Sequence, residues 1–308
     1  MSAPARRRHR SRHRYRYRYN RYRYRYRYRR GLGAGPVRTT TLAVTALAGV
    51  LAVAGVVIGV TVTGGSGPVA TTTPATGTDG LCEHLNVPAY FAPGYWTEAT
   101  RSTPPPADMI LDITGAGAGT APNPEFQALV SQAKAAGITI LGYSSTEDGQ
   151  RPIAQVEADV RDYAAWYGVT SIFLDRVSGQ PQQISYYKQL ADYIHRTNPG
   201  SQVWLNPGDY PDQAYMSIGN VVMVFEGTYA QYLTADVPGW ARDYPASKFA
   251  HTIFATPGAD LANALRLAHS RDAGYVYVTD GTGSNPYQAL PSYWSAEDTS
   301  ATAACQPG

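Results

Sequence analysis

The chain has 308 residues and a formal net charge of +3, a total that hides two opposed parts. Residues 1–38 hold 15 Arg, no Lys and no acid, so residues 39–308 carry 11 basic and 23 acidic side chains, a net of −12. The missing basic footprint argues against a nucleic-acid-binding body, and a hydrophobic content of 44% excludes global disorder.

The N-terminal tail, residues 1–38, is of low complexity. From Arg14 to Arg30 it alternates Arg and Tyr, broken by Asn20 and a closing Arg pair. Arg repulsion predicts an extended, solvated segment with too little apolar surface for a core. Two readings stand: a cytoplasmic tail that sets membrane topology, or a segment contacting anionic lipid or nucleic acid through Arg and stacked Tyr.

Residues 42–62 follow, 21 residues without a charge, and a bilayer core needs about 20 helical residues. A signal-anchor helix over 39–63 is expected. With all 15 Arg on its N-terminal side, the tail stays cytoplasmic and the body is extracellular. A cleaved secretory signal is the rival, giving a secreted body, but its apolar core is usually about 7–15 residues. Arg29–Arg30 also permits a weak twin-arginine signal, and Gly55 and Gly59 make one G-x-x-x-G. Residues 64–80 are a Gly/Thr/Pro linker, and 81–308 form the body.

Cys82 and Cys305 bracket that body. In an oxidising exterior they would form a disulfide tying its ends together, worth about 4–5 kcal/mol in the ideal loop-closure case. The body's histidines, His84, His195, His251 and His269, are scattered, so no metal constellation and no cofactor is expected.

From residue 87 onward, eight β-rich runs alternate with longer helical stretches. The runs are 87–91, 109–113, 139–145, 171–175, 203–207, 221–226, 250–254 and 275–280. Several are nearly continuously apolar, as strands covered on both faces are. Helices are expected at 124–136, 153–167, 182–197 and 260–272, the third placing Ile184, Tyr187, Leu190, Ala191 and Ile194 on one face. Gly137 follows the first as a stop signal. Eight such units point to a (β/α)8 TIM-type barrel. A doubly wound open sheet is the alternative, but its Gly-rich phosphate turn should follow the first strand. GAGAG at 115–119 follows the second and is expected to be a flexible loop beside the site.

Barrel chemistry sits where strands end. Polar residues gather there: Asp112, Tyr143, Thr146, Asp175, Asn206, Glu226, Thr279 and Asp280. A carboxylate finishing an apolar strand must be paired, bound or titrating, although an Asp there can also cap the next helix. Two carboxylates across a mouth rich in Tyr and Trp suggest glycoside hydrolysis, one protonating the leaving oxygen and the other activating water or attacking the sugar. Asp175 and Glu226 are the expected catalytic pair. No G-x-S-x-G elbow is present, which argues against an α/β-hydrolase.

The same stretches carry a family resemblance. VPAYFAPGYW, LGYSST with Arg151 after it, SIFLD, WLNPG, VVMVFEGTY and GYVYVTDGTGSNPYQALPSYW, over residues 87–294, resemble the spherulation-specific family 4 (spherulin-4-like) proteins. The resemblance implies a (β/α)8 glycoside-hydrolase-like domain, and some relatives are endo-α-1,4-galactosaminidases that cut galactosamine-containing polysaccharides. It places the family's strand-four Asp on Asp175 and its strand-six Glu on Glu226. Tyr90, Asp112, Tyr143, Arg151, Arg176, Asn206, Thr279 and Asp280 are the candidate substrate-binding residues. Two departures stand out. Arg176 occupies the place of the second acid in the family's Asp-Glu pair, where it would either weaken catalysis or hold Asp175 ionised as a neighbouring cation. LDITGAGAG stands where relatives often show Asn-Pro and a Gly-Pro-Gly loop. The expectation is a membrane-anchored extracellular glycoside hydrolase. The alternatives are a non-catalytic polysaccharide- or envelope-binding protein on the same barrel, and a protein whose function lies in its tail.

Overall fold

The structure, a computed structural model, describes residues 83–302. The expected tail, span at 42–62, linker and Cys82–Cys305 disulfide lie outside the described residues. Among the described residues no helix is long and apolar enough to cross a membrane.

Eight parallel strands close into a barrel: β1 (His84–Pro88), β2 (Asp108–Leu111), β3 (Thr139–Ser145), β4 (Ser171–Asp175), β5 (Val203–Leu205), β6 (Val221–Thr228), β7 (Phe249–Phe254) and β8 (Tyr275–Val278). Each pairs with the next, and β8 returns to β1 through His84↔Tyr275 and Leu85↔Val276. Closure excludes the open doubly wound sheet.

The helices are α1 (Pro93–Thr100), α2 (Pro124–Ala135), α3 (Ile153–Tyr167), α4 (Ile184–Thr197), α5 (Tyr229–Tyr232), α6 (Leu261–Ser270) and α7 (Trp294–Thr302). The Asn123 side chain caps α2 by accepting from the Glu125 amide, with Pro124 at the first helical position. Gly168, at φ 62°, ends α3 in the left-handed conformation that suits glycine. On α4, Tyr187, Leu190, Ala191 and Ile194 are buried as the periodicity expects, while Ile184 only packs against the core's edge.

The helical layer is thinner than eight regular units imply. Between β5 and β6 there is only a 3-10 turn at Gln213–Ser217, and between β6 and β7 only the one-turn α5 and short 3-10 turns. Pro207 and Pro211, in the β5–β6 connection of residues 206–220, discourage a full helix there. Tyr210, Trp240, Tyr244 and Phe249 fill the space with edge-on ring contacts.

Two apolar clusters form. One fills the barrel with Ile110, Leu141, Phe173, Trp204, Val221, Met223 and Ala250. The other lies mainly between strands and helices. Strand alternation then decides what reaches the mouth. Two residues after inward Ile110, Leu141, Phe173 and Trp204 come Asp112, Tyr143, Asp175 and Asn206. Glu226 does not follow this rule, because it lies an odd number of residues beyond inward Met223. A bulge between Met223 and Phe225 shifts the register, pairing Phe225 with His251 and Glu226 with Thr252. Phe225 thereby goes outward onto Tyr232, and Glu226 turns into the barrel.

Candidate active site

One amide joins the two expected catalytic acids. Asn206 Nδ2 donates to Asp175 Oδ1 at 2.8 Å and to Glu226 Oε2 at 2.7 Å. These two oxygens are therefore no further apart than about 5.5 Å, the sum of the two distances. Tyr143 Oη donates to Asp175 Oδ2 at 2.6 Å, and Tyr287 Oη donates to Glu226 Oε1 at 2.8 Å. Tyr90 lies between the tyrosines, edge-on to Tyr143 and to Tyr287 at 5.7 and 5.8 Å between ring centroids. Acid pair, amide and three tyrosines make one contiguous group.

The two acids differ in what supports their charge. Burial pushes both carboxyls up. Against this, Asp175 has the Tyr143 hydroxyl, the Asn206 amide, the backbone N–H of Arg176 and the Arg176 charge. Glu226 has only Asn206 and Tyr287, and the Asp175 charge pushes it further up. Each acid is thus held by the shared Asn206 amide and one tyrosine hydroxyl, and Asp175 alone has the Arg176 charge beside it. Burial first, with a smaller push from Asp175, also raises Asp112 to about 6. The Tyr90 hydroxyl is pushed up by burial and then by the surrounding acids.

The turn after β4 is built to hold Asp175. Arg176 adopts φ 52°, a conformation that L side chains seldom take. Thr146 braces it: its amide donates to the Asp175 carbonyl, and its hydroxyl lies 2.9 and 2.8 Å from the Asp175 and Arg176 carbonyls. The Tyr187 hydroxyl backs Thr146 at 2.9 Å.

Other expected binding residues are placed differently. Arg151 points inward rather than to the acid pair. Its guanidinium pairs with Asp159 at 2.6 Å and donates to the Ala116 and Ser145 carbonyls. The GAGAG loop is accordingly pinned rather than free. The Ser145 amide also donates to the Ala116 carbonyl, and a side chain on Gly117 would run into the Asp159 carboxylate. Arg176 is exposed and reaches Asp148 at 3.6 Å. Thr279 and Asp280 shape the loop after β8: Thr279 Oγ1 accepts from the Gly281 amide and Asp280 Oδ1 from the Ser292 amide. That loop delivers Tyr287, which was not among the expected site residues. Its signal is its place in the last family-like stretch, GYVYVTDGTGSNPYQALPSYW, which runs on past the final strand. Asp159, also missed, carries one: an acid among the buried Val156, Val160 and Tyr163 of α3. Among the described residues no group of three or more His, Cys, Asp or Glu could hold a metal ion.

A closed parallel barrel with a carboxylate pair at the C-terminal ends of its strands is the architecture of barrel glycoside hydrolases. The chain belongs to the spherulation-specific family 4, whose model matches residues 86–298. It is 30% identical over 227 residues to Spherulin-4 of Physarum polycephalum, covering 69% of this chain and 68% of that protein. The crystal structure of Aspergillus clavatus Sph3 in complex with GalNAc superposes with a TM-score of 0.60 at 24% identity, over 73% of this chain and 99% of that one.

Proposed function

We propose that the barrel is a glycoside hydrolase acting on an amino-sugar polysaccharide with net retention at the anomeric carbon. The observation that carries this is the single Asn206 nitrogen bonded to both Asp175 and Glu226. Retaining enzymes hold their carboxyls about 5–5.5 Å apart, and inverting enzymes about 6.5–9.5 Å to admit a water. An amide-bridged pair belongs with the first group. Glu226, which has no cation beside it, protonates the glycosidic oxygen. Asp175, with the Arg176 charge beside it, attacks the anomeric carbon. The leaving sugar departs with the proton from Glu226. Glu226 then takes a proton from water as that water attacks, and the Asp175 carboxylate is released. Tyr90 offers a ring on which a sugar can stack. The GalNAc bound to the related Sph3 supports the amino-sugar class.

The test is to incubate the full chain with an α-1,4-linked galactosaminan and follow new anomeric signals by proton NMR. An α-anomer as the first product is expected. A β-anomer refutes the retaining assignment. Binding without any new reducing end favours the non-catalytic reading that Arg176 suggests.

We further propose that residues 42–62 anchor the chain with its arginine tail cytoplasmic and the barrel extracellular. The uncharged run and the one-sided arginines support this. A Cys82–Cys305 disulfide is supported by the neighbouring backbone, where the Glu83 amide donates to the Ala301 carbonyl at 3.0 Å.

A further inference from the structure

Two buried hydroxyls sit behind the acid pair without bonding to either carboxylate. Tyr187, on α4, and Thr146, just after β3, are both fully buried, and their hydroxyls lie 2.9 Å apart. Thr146 Oγ1 is 2.9 and 2.8 Å from the Asp175 and Arg176 carbonyls, which can only accept. The Thr146 proton therefore points to those carbonyls, and Tyr187 donates to Thr146. The Tyr187 oxygen in turn accepts from the Ser178 amide at 3.1 Å. The result is one directed chain, from the Ser178 N–H through Tyr187 and Thr146 to the carbonyls of Asp175 and Arg176. It begins and ends on the same turn and staples residues 175–178.

That turn carries two peptide N–H groups that reach the site. The Arg176 amide favours the ionised Asp175 carboxylate. The Val177 amide donates to the Asn206 carbonyl at 2.9 Å and so anchors the residue whose side chain bridges Asp175 and Glu226. The staple also faces strain. Glu147, Asp148 and Arg176 take left-handed φ values of 52°, 59° and 52°, and the Asp148 amide donates to the Arg176 carbonyl at 2.8 Å. Residues other than glycine keep such conformations only where their surroundings over-determine them. A Phe at position 187 would fill the same space; the hydroxyl serves only Thr146 and the turn.

We infer that Thr146 and Tyr187 are positioning residues, holding the 175–178 turn so that the Arg176 amide stays on the Asp175 carboxylate and Asn206 stays between the two acids. The inference deepens the hydrolase reading and rests on it for its kinetic arm only. The groups facing Asp175 are Tyr90 after β1, Asp112 after β2, Tyr143 on β3, Asn206 after β5, Glu226 on β6 and the Arg176 charge. The Thr146 and Tyr187 hydroxyls bond to none of these side chains, so a change in Asp175 titration on removing either one reports the turn.

The test compares Thr146→Val, Thr146→Ser and Tyr187→Phe in the full chain. In Thr146→Val both carbonyls keep an amide donor, from residues 146 and 148, so the variant is expected to fold. In the first arm, carbon-detected NMR follows isotope-labelled aspartate, with the Asp175 signal assigned from Asp175→Asn. The Asp175 carboxyl is expected to titrate about one unit higher in Thr146→Val, by less in Tyr187→Phe, and near its natural value in Thr146→Ser. In the second arm, with the galactosaminan, Thr146→Val lowers kcat by about 10²-fold, as a displacement of about 1 Å can, with little change in KM. It also moves the acidic limb of kcat/KM upward, and Thr146→Ser recovers most of both. An Asp175 titration unmoved in Thr146→Val, or displaced as far in Thr146→Ser, overturns the proposal. Should Thr146→Val not fold, Tyr187→Phe keeps the ring contacts with Tyr186 and Tyr215, and an unmoved Asp175 signal there overturns it instead. If no polymer is cut, the hydrolase reading fails and the NMR arm still judges the staple.

Discussion

Replacing Tyr287 with Phe removes one atom from the site and tests the division of labour between its acids. The Tyr287 hydroxyl donates to Glu226 Oε1 at 2.8 Å and favours the ionised carboxylate. A hydrogen bond to a charged group is worth about 1.5–3 kcal/mol, and one pKa unit corresponds to about 1.36 kcal/mol. Complete loss would therefore raise the Glu226 pKa by about one to two units. Water entering the mouth would restore part of the interaction, so about one unit is expected. If Glu226 must be protonated to act, the basic limb of the pH profile of kcat/KM moves up by that amount. Tyr143→Phe is the counterpart. It removes the donor to Asp175 Oδ2, raises the Asp175 pKa, and shifts the acidic limb upward because Asp175 must be ionised. The limbs are properties of an interacting pair, so the two variants are read against each other. If Tyr287→Phe moves the acidic limb instead, or neither variant moves a limb, the assignment of Glu226 as acid and Asp175 as nucleophile is wrong.

Further outcomes follow from the same geometry. Glu226→Gln and Asp175→Asn should each lower the rate of reducing-end release by about 10²–10⁴-fold or more with unchanged circular dichroism; activity equal to the natural chain's in either variant removes that residue from the mechanism. Stability should fall as pH rises from about 4 to about 7. Burial raises Asp108 from 3.8 to about 7 and Glu83 from 4.5 to about 7, so the folded state binds more protons than the unfolded state across that window and loses the advantage as they titrate. Asp108→Asn removes an ionisation cost of order 4 kcal/mol at neutral pH and should flatten the melting temperature against pH; a profile as steep as the natural chain's would count against this origin. Gly117→Ala places a methyl group against the Asp159 carboxylate and should cost about 1–3 kcal/mol in urea unfolding through the Asp159–Arg151 pair; an unchanged midpoint would show that the loop yields without penalty.

The strands were legible because each is a short apolar run between polar connections: seven of the eight runs fall on strands, while the run at 87–91 is displaced and shares only Val87 and Pro88 with β1. Helices α2, α3, α4 and α6 were legible from periodicity and stop signals. Helices α1 and α7 were not, because they are short and weakly patterned: α1 buries Trp96 and Ala99 along eight residues, and α7 carries the buried acids Glu297 and Asp298.

Sequence alone was enough to place carboxylates at the ends of strands, because an acid closing an apolar run needs no knowledge of its neighbours to look costly. It could not say which way each one points or what holds it. Simple alternation aims Asp175 into the mouth but would aim Glu226 away from it; the bulge between Met223 and Phe225 corrects this, and it exists only as a register between β6 and β7. Arg151 illustrates the converse. Beside LGYSST it resembles a substrate-binding residue, yet it is engaged by Asp159, eight positions further along the chain. Tyr287 meets Glu226 across 61 residues of chain. Local pattern records the cost of burying a group, whereas partners brought together by barrel closure decide whether that group is structural, catalytic or open to a ligand.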